Sequence, residues 1–324
     1  MSKCLIFFLL LCSCGRDTLS KLKEPINPAN DPANLPGAEG ELVTLPDSLP
    51  ASGNPIKPSW TAYWYPYSDG SMAKVVEKYD VAINDSDKKA SGWEWQQTNQ
   101  FKTVSWAGHC NGVSSAGTSV DEPKHPVTYN NVTFSVDDIK ALLADVWQAS
   151  GTVVGERCND QPIEYDPNGR MINSACRNIN PASFHILVTN FMGIYHKPII
   201  ANIGPVPQVW NWPITSFEVK LRENLTVRDV NVWMFGVQDK DTYDYNPDAK
   251  SFIYYQTAIT LLSGSQKIYE YILELDKGGK IIGGEWFRNA KKDHPNFLWR
   301  ATTPATENPY LDIKVVYDIY NKSL

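Results

Sequence analysis

The 324-residue sequence contains no apolar run long enough to cross a bilayer. Its longest, Cys4-Leu5-Ile6-Phe7-Phe8-Leu9-Leu10-Leu11, falls far short of the roughly 20 residues a membrane helix requires. Basic residues form no run, and the formal net charge is -6, which excludes nucleic acid as a partner. There is no internal repeat and no second linker, so residues 59–324 read as one domain. Histidine is scarce at five, and none sits at short spacing from paired cysteines, so no zinc motif is readable. Cysteine is also scarce. Three of the six, Cys4, Cys12 and Cys14, fall in the N-terminal apolar segment.

That segment reads as an export signal over residues 1–13: Lys3, a short apolar run, then small residues. Leu11-Cys12-Ser13-Cys14 resembles a bacterial lipobox, with cleavage before Cys14 and a lipid on its thiol, although Cys12 is unusual in such a box. Residues 14–58 carry Pro25, Pro28, Pro32, Pro36, Pro46, Pro50, Pro55 and Pro58 among small polar residues. Such a stretch has too little apolar surface to fold alone and reads as an extended tether. A prosegment lying across the domain is the alternative. The expected location is the bacterial cell envelope, as an exported lipoprotein held to a membrane by its N-terminal lipid.

With the signal removed and Cys14 lipidated, three cysteines remain. Cys158 and Cys176, with 17 residues between them, suit a disulfide in an oxidising compartment. Cys110 is then a lone thiol in Gly108-His109-Cys110-Asn111-Gly112-Val113-Ser114-Ser115-Ala116. Free N–H groups and the dipole at a helix start stabilise a thiolate, and the small residues that follow allow close packing on a sheet. This is the layout of a cysteine acyl-transfer enzyme. The competing reading is an inert buried cysteine.

A helix is predicted after Ser135-Val136-Asp137-Asp138, with Ile139, Leu142, Leu143, Val146 and Trp147 on one face. Residues 184–188 and 198–202 read as strands around a turn at Gly193, and residues 269–275 and 280–282 as another hairpin. The expected class is α+β, with a cysteine-bearing helix packed on an antiparallel sheet. His185, opening an apolar strand, is the candidate base. A turn at Gly193 sets it opposite Asn202, within ~5 Å, so that an amide orients the ring. Asn211 competes for that third role.

Oxygen ligands crowd into Asp239, Asp241, Asp244, Asn246 and Asp248, with a smaller group at Asn84, Asp85 and Asp87. Hard donors at short spacing suit Ca2+, but neither group has EF-hand spacing.

Five blocks in order carry a family resemblance: residues 60–67, 106–116, 209–213, 283–286 and 294–299. Together they resemble the transglutaminase elicitor family, known from cell-wall glycoproteins of oomycete plant pathogens and from marine bacteria. The resemblance implies a protein-glutamine γ-glutamyltransferase with a papain/transglutaminase-like active-site arrangement, Cys110 being the nucleophile and His185 the base. Its partners would be proteins with accessible glutamine and lysine, and its relatives include calcium-dependent enzymes. It implies an acidic residue near the end of the second strand, where this chain has Asn202. Trp212 likewise replaces a polar residue expected after Asn211. The segment 209–217 resembles the surface stretch that plants recognise in the oomycete proteins. A cysteine peptidase or amidase, and a non-catalytic surface recognition protein, are the alternatives.

Overall fold

The structure, a computed structural model, describes residues 40–324 other than 158–161, 174 and 205–207, together with residues 32 and 35. Its α-helices are α1 (Ser71–Ala82), α2 (Lys89–Phe101), α3 (Cys110–Ser119), α4 (Val136–Val146), α5 (Pro181–Val188), α6 (Val227–Phe235) and α7 (Ile313–Asn321). Its strands are β1 (Ser52–Gly53), β2 (Val127–Tyr129), β3 (Val132–Phe134), β4 (Thr152–Gly155), β5 (Ile199–Ile203), β6 (Asn211–Leu225), β7 (Ser251–Leu261), β8 (Gln266–Leu275), β9 (Ile281–Trp286) and β10 (Pro295–Arg300).

Local chemistry sets several boundaries. Ser135 and Asp138 form a reciprocal capping box that starts α4, and Thr226 and Asp229 do the same for α6. Gly236, at φ 66°, stops α6 in the left-handed region that glycine adopts without strain. Asp276 accepts from the N–H groups of Gly278 and Lys280 and so shapes the turn between β8 and β9.

Seven strands pair in the order β4-β10-β5-β6-β7-β8-β9, and β1 adds to β6, making one antiparallel sheet. One large core packs on it and a second is built from helices beside it. One holds Phe184, Ile186 and Leu187 of α5 with Ile199, Ala201, Ile214, Tyr269, Tyr271 and Leu273. The other gathers α1, α3, α4 and α7 around Val76, Val113, Leu142 and Ile319. Strand side chains alternate between faces. Ile199 and Ala201 therefore face α5, whereas Ile200 packs with Phe297 and Trp299 on the opposite face. This is the expected α+β class.

Two expectations fail here. Residues 184–188 are helical, not a strand. Asn180 caps α5 by accepting from Ala182 N–H at 2.8 Å, and Pro181 occupies its first turn. All eight residues of α5 are buried, so the segment shows no polar face from which a helical period can be read. Consequently His185 does not pair with Asn202. The register sets Asn202 opposite Asn211 on β6 and Phe297 on β10.

The described part of the expected tether is also not free. Val43 exchanges hydrogen bonds with the Asn190 side chain, Thr44 O accepts from Ile281 N–H, and β1 pairs with β6 at Phe217 and Glu218. Residues 40–58 form a strap laid on the domain. The export signal over 1–13 and Cys14 lie outside the described residues.

Candidate active site around Cys110

Cys110 is the first residue of α3, with His109 at the N-cap. Close packing sets the helix there. Gly112 lies against the Ala144 carbonyl of α4 and donates to Gln148 Oε1 at 3.3 Å. Ser114 donates to the Asn211 carbonyl at 3.0 Å, which ties α3 to the start of β6. Small residues are needed because a helix and a strand both approach.

Cys110 is half-buried, and its thiol is in no disulfide. Sγ lies 3.7 Å from Val209 O and 3.5 Å from Asn211 Nδ2. Burial pushes the thiol up from its ordinary value. The Asn211 side-chain amide, and the backbone N–H groups of Asn211, Asn111 and Cys110, pull the other way by solvating the thiolate. The sulfur thus sits among amide donors at a helix N-terminus, where negative charge is stabilised. Asn211 is itself aimed: Trp299 Nε1 donates to its Oδ1 at 3.0 Å, leaving Nδ2 for the sulfur. Asn202 is one step back. It donates to Trp210 O at 2.9 Å and accepts from Asn296 Nδ2, so it braces the strand that carries Asn211.

Of the sequence-predicted residues, the structure brings Cys110, Asn211 and Asn202 to one face and leaves His185 on the other. His185 is 2 % exposed in the α5 core, with Nδ1 2.8 Å from the Tyr271 hydroxyl and its ring 4.4 Å from that of Tyr255. Burial, and then Arg222, bring its pKa down to about 3, so it is a neutral core histidine. Cys176 is disulfide-bonded, while Cys158 lies outside the described residues. Trp212 packs on the α5 side of β6, away from the thiol, and Trp210 meets Trp64 edge-on at 5.3 Å. Of the segment 209–217, residues 211–217 belong to β6, with Pro213, Ile214 and Phe217 buried.

The acidic groups do not converge on a calcium cage. Asp241 pairs with Arg228 at 2.7 Å, Asp244 with Lys240, and Asn246 donates to Glu274 at 2.7 Å. Asp85 accepts from the N–H groups of Asp87 and Lys89 and shapes a turn.

Sequence reasoning missed a fully buried cluster beneath α3. Glu94, His109 and Asp145 are each 1 % exposed. Burial, followed by Asp145, pushes Glu94 up to about 10, and burial raises Asp145 to about 6. Burial lowers His109 to about 4. The signal was weak: 15 positions separate Glu94 from His109, and 36 separate His109 from Asp145.

Two predictions arise. With Cys110 as the expected nucleophile, Asn211→Ala should reduce turnover about 100-fold and Asn202→Ala about tenfold or less, because of the two only Asn211 touches the sulfur. Steady-state rates of the two variants check the order, and the reverse order would move the polarising role to Asn202. For His185, the folded pKa is depressed from 6.5 to about 3, so its stabilising contribution is full above 6.5. It is lost as pH falls toward 3, with a slope of about 1.4 kcal/mol per pH unit. Urea unfolding at pH 7 and pH 5 should show His185→Gln losing about 2 kcal/mol less over that interval than the parent. Equal losses would show that His185 is not held neutral.

The family model described as Transglutaminase elicitor matches residues 67–321. Among solved structures, the GP42 transglutaminase from Phytophthora sojae is similar at a TM-score of 0.69 and 23% sequence identity. The match covers 87% of this chain and 94% of that one. No curated protein matches the chain.

Proposed function

Because this chain belongs to the transglutaminase elicitor family, we propose that it is an acyltransferase joining glutamine and lysine side chains through a thioester on Cys110. The observation that carries the reading is the set of amide donors facing the free thiol of a half-buried Cys110 at a helix start. In the first half-reaction the thiolate attacks the glutamine γ-carboxamide and a tetrahedral oxyanion forms. The Cys110 backbone N–H and Asn211 Nδ2 are the donors for that oxyanion. Collapse breaks the C–N bond as the amide nitrogen takes a proton from solvent and leaves as ammonia, and the thioester remains. A lysine amine then attacks, loses a proton, and forms the isopeptide bond as the thiolate departs. The two proton transfers balance over the cycle. Water in place of the amine gives deamidation.

Asn211 replaces the histidine expected beside the sulfur, and an amide orients and polarises without accepting the thiol proton. The thiolate therefore forms by exchange with solvent, and activity should rise with pH. The expected acceptor range is proteins with accessible glutamine and lysine, met at the cell envelope after export. Attachment through Cys14 would hold the enzyme at a membrane.

One observation favours a second reading. Burial raises the Cys110 thiol, which suits a non-catalytic recognition protein keeping the scaffold. Incubation of a glutamine peptide with a labelled primary amine, analysed by mass spectrometry, separates the readings. An amine adduct supports the transferase and peptide cleavage supports a peptidase. No product, with a thiol inert to iodoacetamide, leaves the recognition protein.

A further inference from the structure

Three lone-pair-bearing groups meet in the buried space between α2, α3 and α4. One carboxylate oxygen each from Glu94 and Asp145, and one ring nitrogen of His109, lie within 4.8 Å of one another. The other carboxylate oxygens are used: Glu94 Oε1 accepts from Asn308 Nδ2 at 3.2 Å, and Asp145 Oδ1 accepts from Thr306 Oγ1 at 2.9 Å. Glu94 Oε2 and Asp145 Oδ2 are buried and accept no hydrogen bond from any N–H or hydroxyl of the described residues; without an ion, the two carboxyl groups have only the proton they share with each other. The third member is oriented too. His109 Nδ1 is 3.2 Å from the Tyr65 carbonyl, which only accepts, so Nδ1 carries the proton. Nε2 then turns its lone pair toward Glu94 Oε2 at 3.5 Å. The Tyr67 ring, edge-on at 5.0 Å, holds the imidazole in place.

An ordinary ion pair would supply a lysine or arginine here, and none of the described ones pairs with Glu94 or Asp145. A proton kept on one carboxylate can bridge one contact of this triangle and leaves the rest of it unmet. A cation meets all of it. We propose that Glu94, His109 and Asp145 form a binding site for a divalent first-row transition metal such as Zn2+ or Mn2+. Tetrahedral ligands at about 2.1 Å from an ion lie about 3.4 Å apart, and the Nε2 to Oε2 separation of 3.5 Å fits that spacing. The carbonyl bond on the far ring nitrogen is the usual support of a metal-bound histidine. A mixed nitrogen and carboxylate set also selects against Ca2+, which takes six to eight oxygens. The ion would pin three helices together one residue away from the nucleophile and outside the reacting atoms.

The test uses the whole folded protein after exhaustive chelation, titrated separately with Zn2+, Mn2+, Co2+ and Ca2+. One equivalent of a transition metal should bind and raise Tm by about 5 °C or more. With Mn2+ or Co2+ bound, electron spin-echo or visible spectra of the parent protein should report a single imidazole nitrogen. Glu94→Gln and Asp145→Asn should each weaken binding at least about tenfold. The parent spectrum stands even where a variant fails to fold. Absence of stoichiometric binding, binding of Ca2+ alone, a spectrum with no nitrogen ligand, or unchanged affinity in both variants would each overturn the site.

Discussion

Cys110→Ala is expected to abolish amine incorporation, with a fall of about a thousandfold or more, while melting at the temperature of the parent. The two halves of this result have separate causes. Under the proposed mechanism activity disappears because, among the described residues, no other thiol can take the acyl group: Cys176 is disulfide-bonded and fully buried. The fold persists because Cys110 lies half-buried at the open end of α3, and its neighbours keep their own partners. Labelled amine transfer to a glutamine peptide, measured beside a thermal melt, reads both. Retained transfer would remove Cys110 from the chemistry. A collapsed melt would make the loss uninformative, and Cys110→Ser then serves as the closer isostere.

The second large effect concerns shape. Gly112→Ala should destabilise the protein by about 3 kcal/mol or more, or prevent folding. A Cβ at this position would overlap the Ala144 carbonyl and meet Gln148 Oε1 at 2.8 Å. Neither can retreat easily. The carbonyl belongs to the α4 backbone, and Gln148 Oε1 already accepts from Gly112 N–H. Relief comes only by moving α3 off α4, which withdraws Cys110 from Asn211. Chemical denaturation of Gly112→Ala beside Gly92→Ala checks this, because a Cβ at Gly92 meets nothing within 4 Å. Equal stability of the two variants would show that the α3–α4 contact is slack.

How far these elements were legible in the sequence depends on whether their signals are local. The start of α4 was readable because a capping box is a contact between neighbours, and the structure contains it. The β8–β9 hairpin was readable because Asp276 and the glycines after it shape the turn among themselves. The lone thiol at a helix start was readable for the same reason, since Gly108 to Ala116 form one compact unit. The histidine was not. α5 is buried all round, so its apolar run looks the same as a strand, and reading it so placed His185 opposite the wrong residue. Asn211 was named only as a competitor, because its position beside the sulfur depends on a crossing between α3 and β6. The triangle of Glu94, His109 and Asp145 spans three helices and has no local spacing to reveal it.

The strap over residues 40–58 has a mechanical consequence. Its first bonds, at Glu41 to Tyr195, Val43 to Asn190 and Thr44 to Ile281, are made to the α5 side of the molecule. It then passes β6 and leads into Trp60, whose N–H reaches the Gly117 carbonyl of the cysteine helix. Tension applied upstream would therefore be borne by the α5 flank before any of it reached the reactive mouth. A molecule moored by that end would turn its back to the mooring and present its sulfur to whatever drifts past.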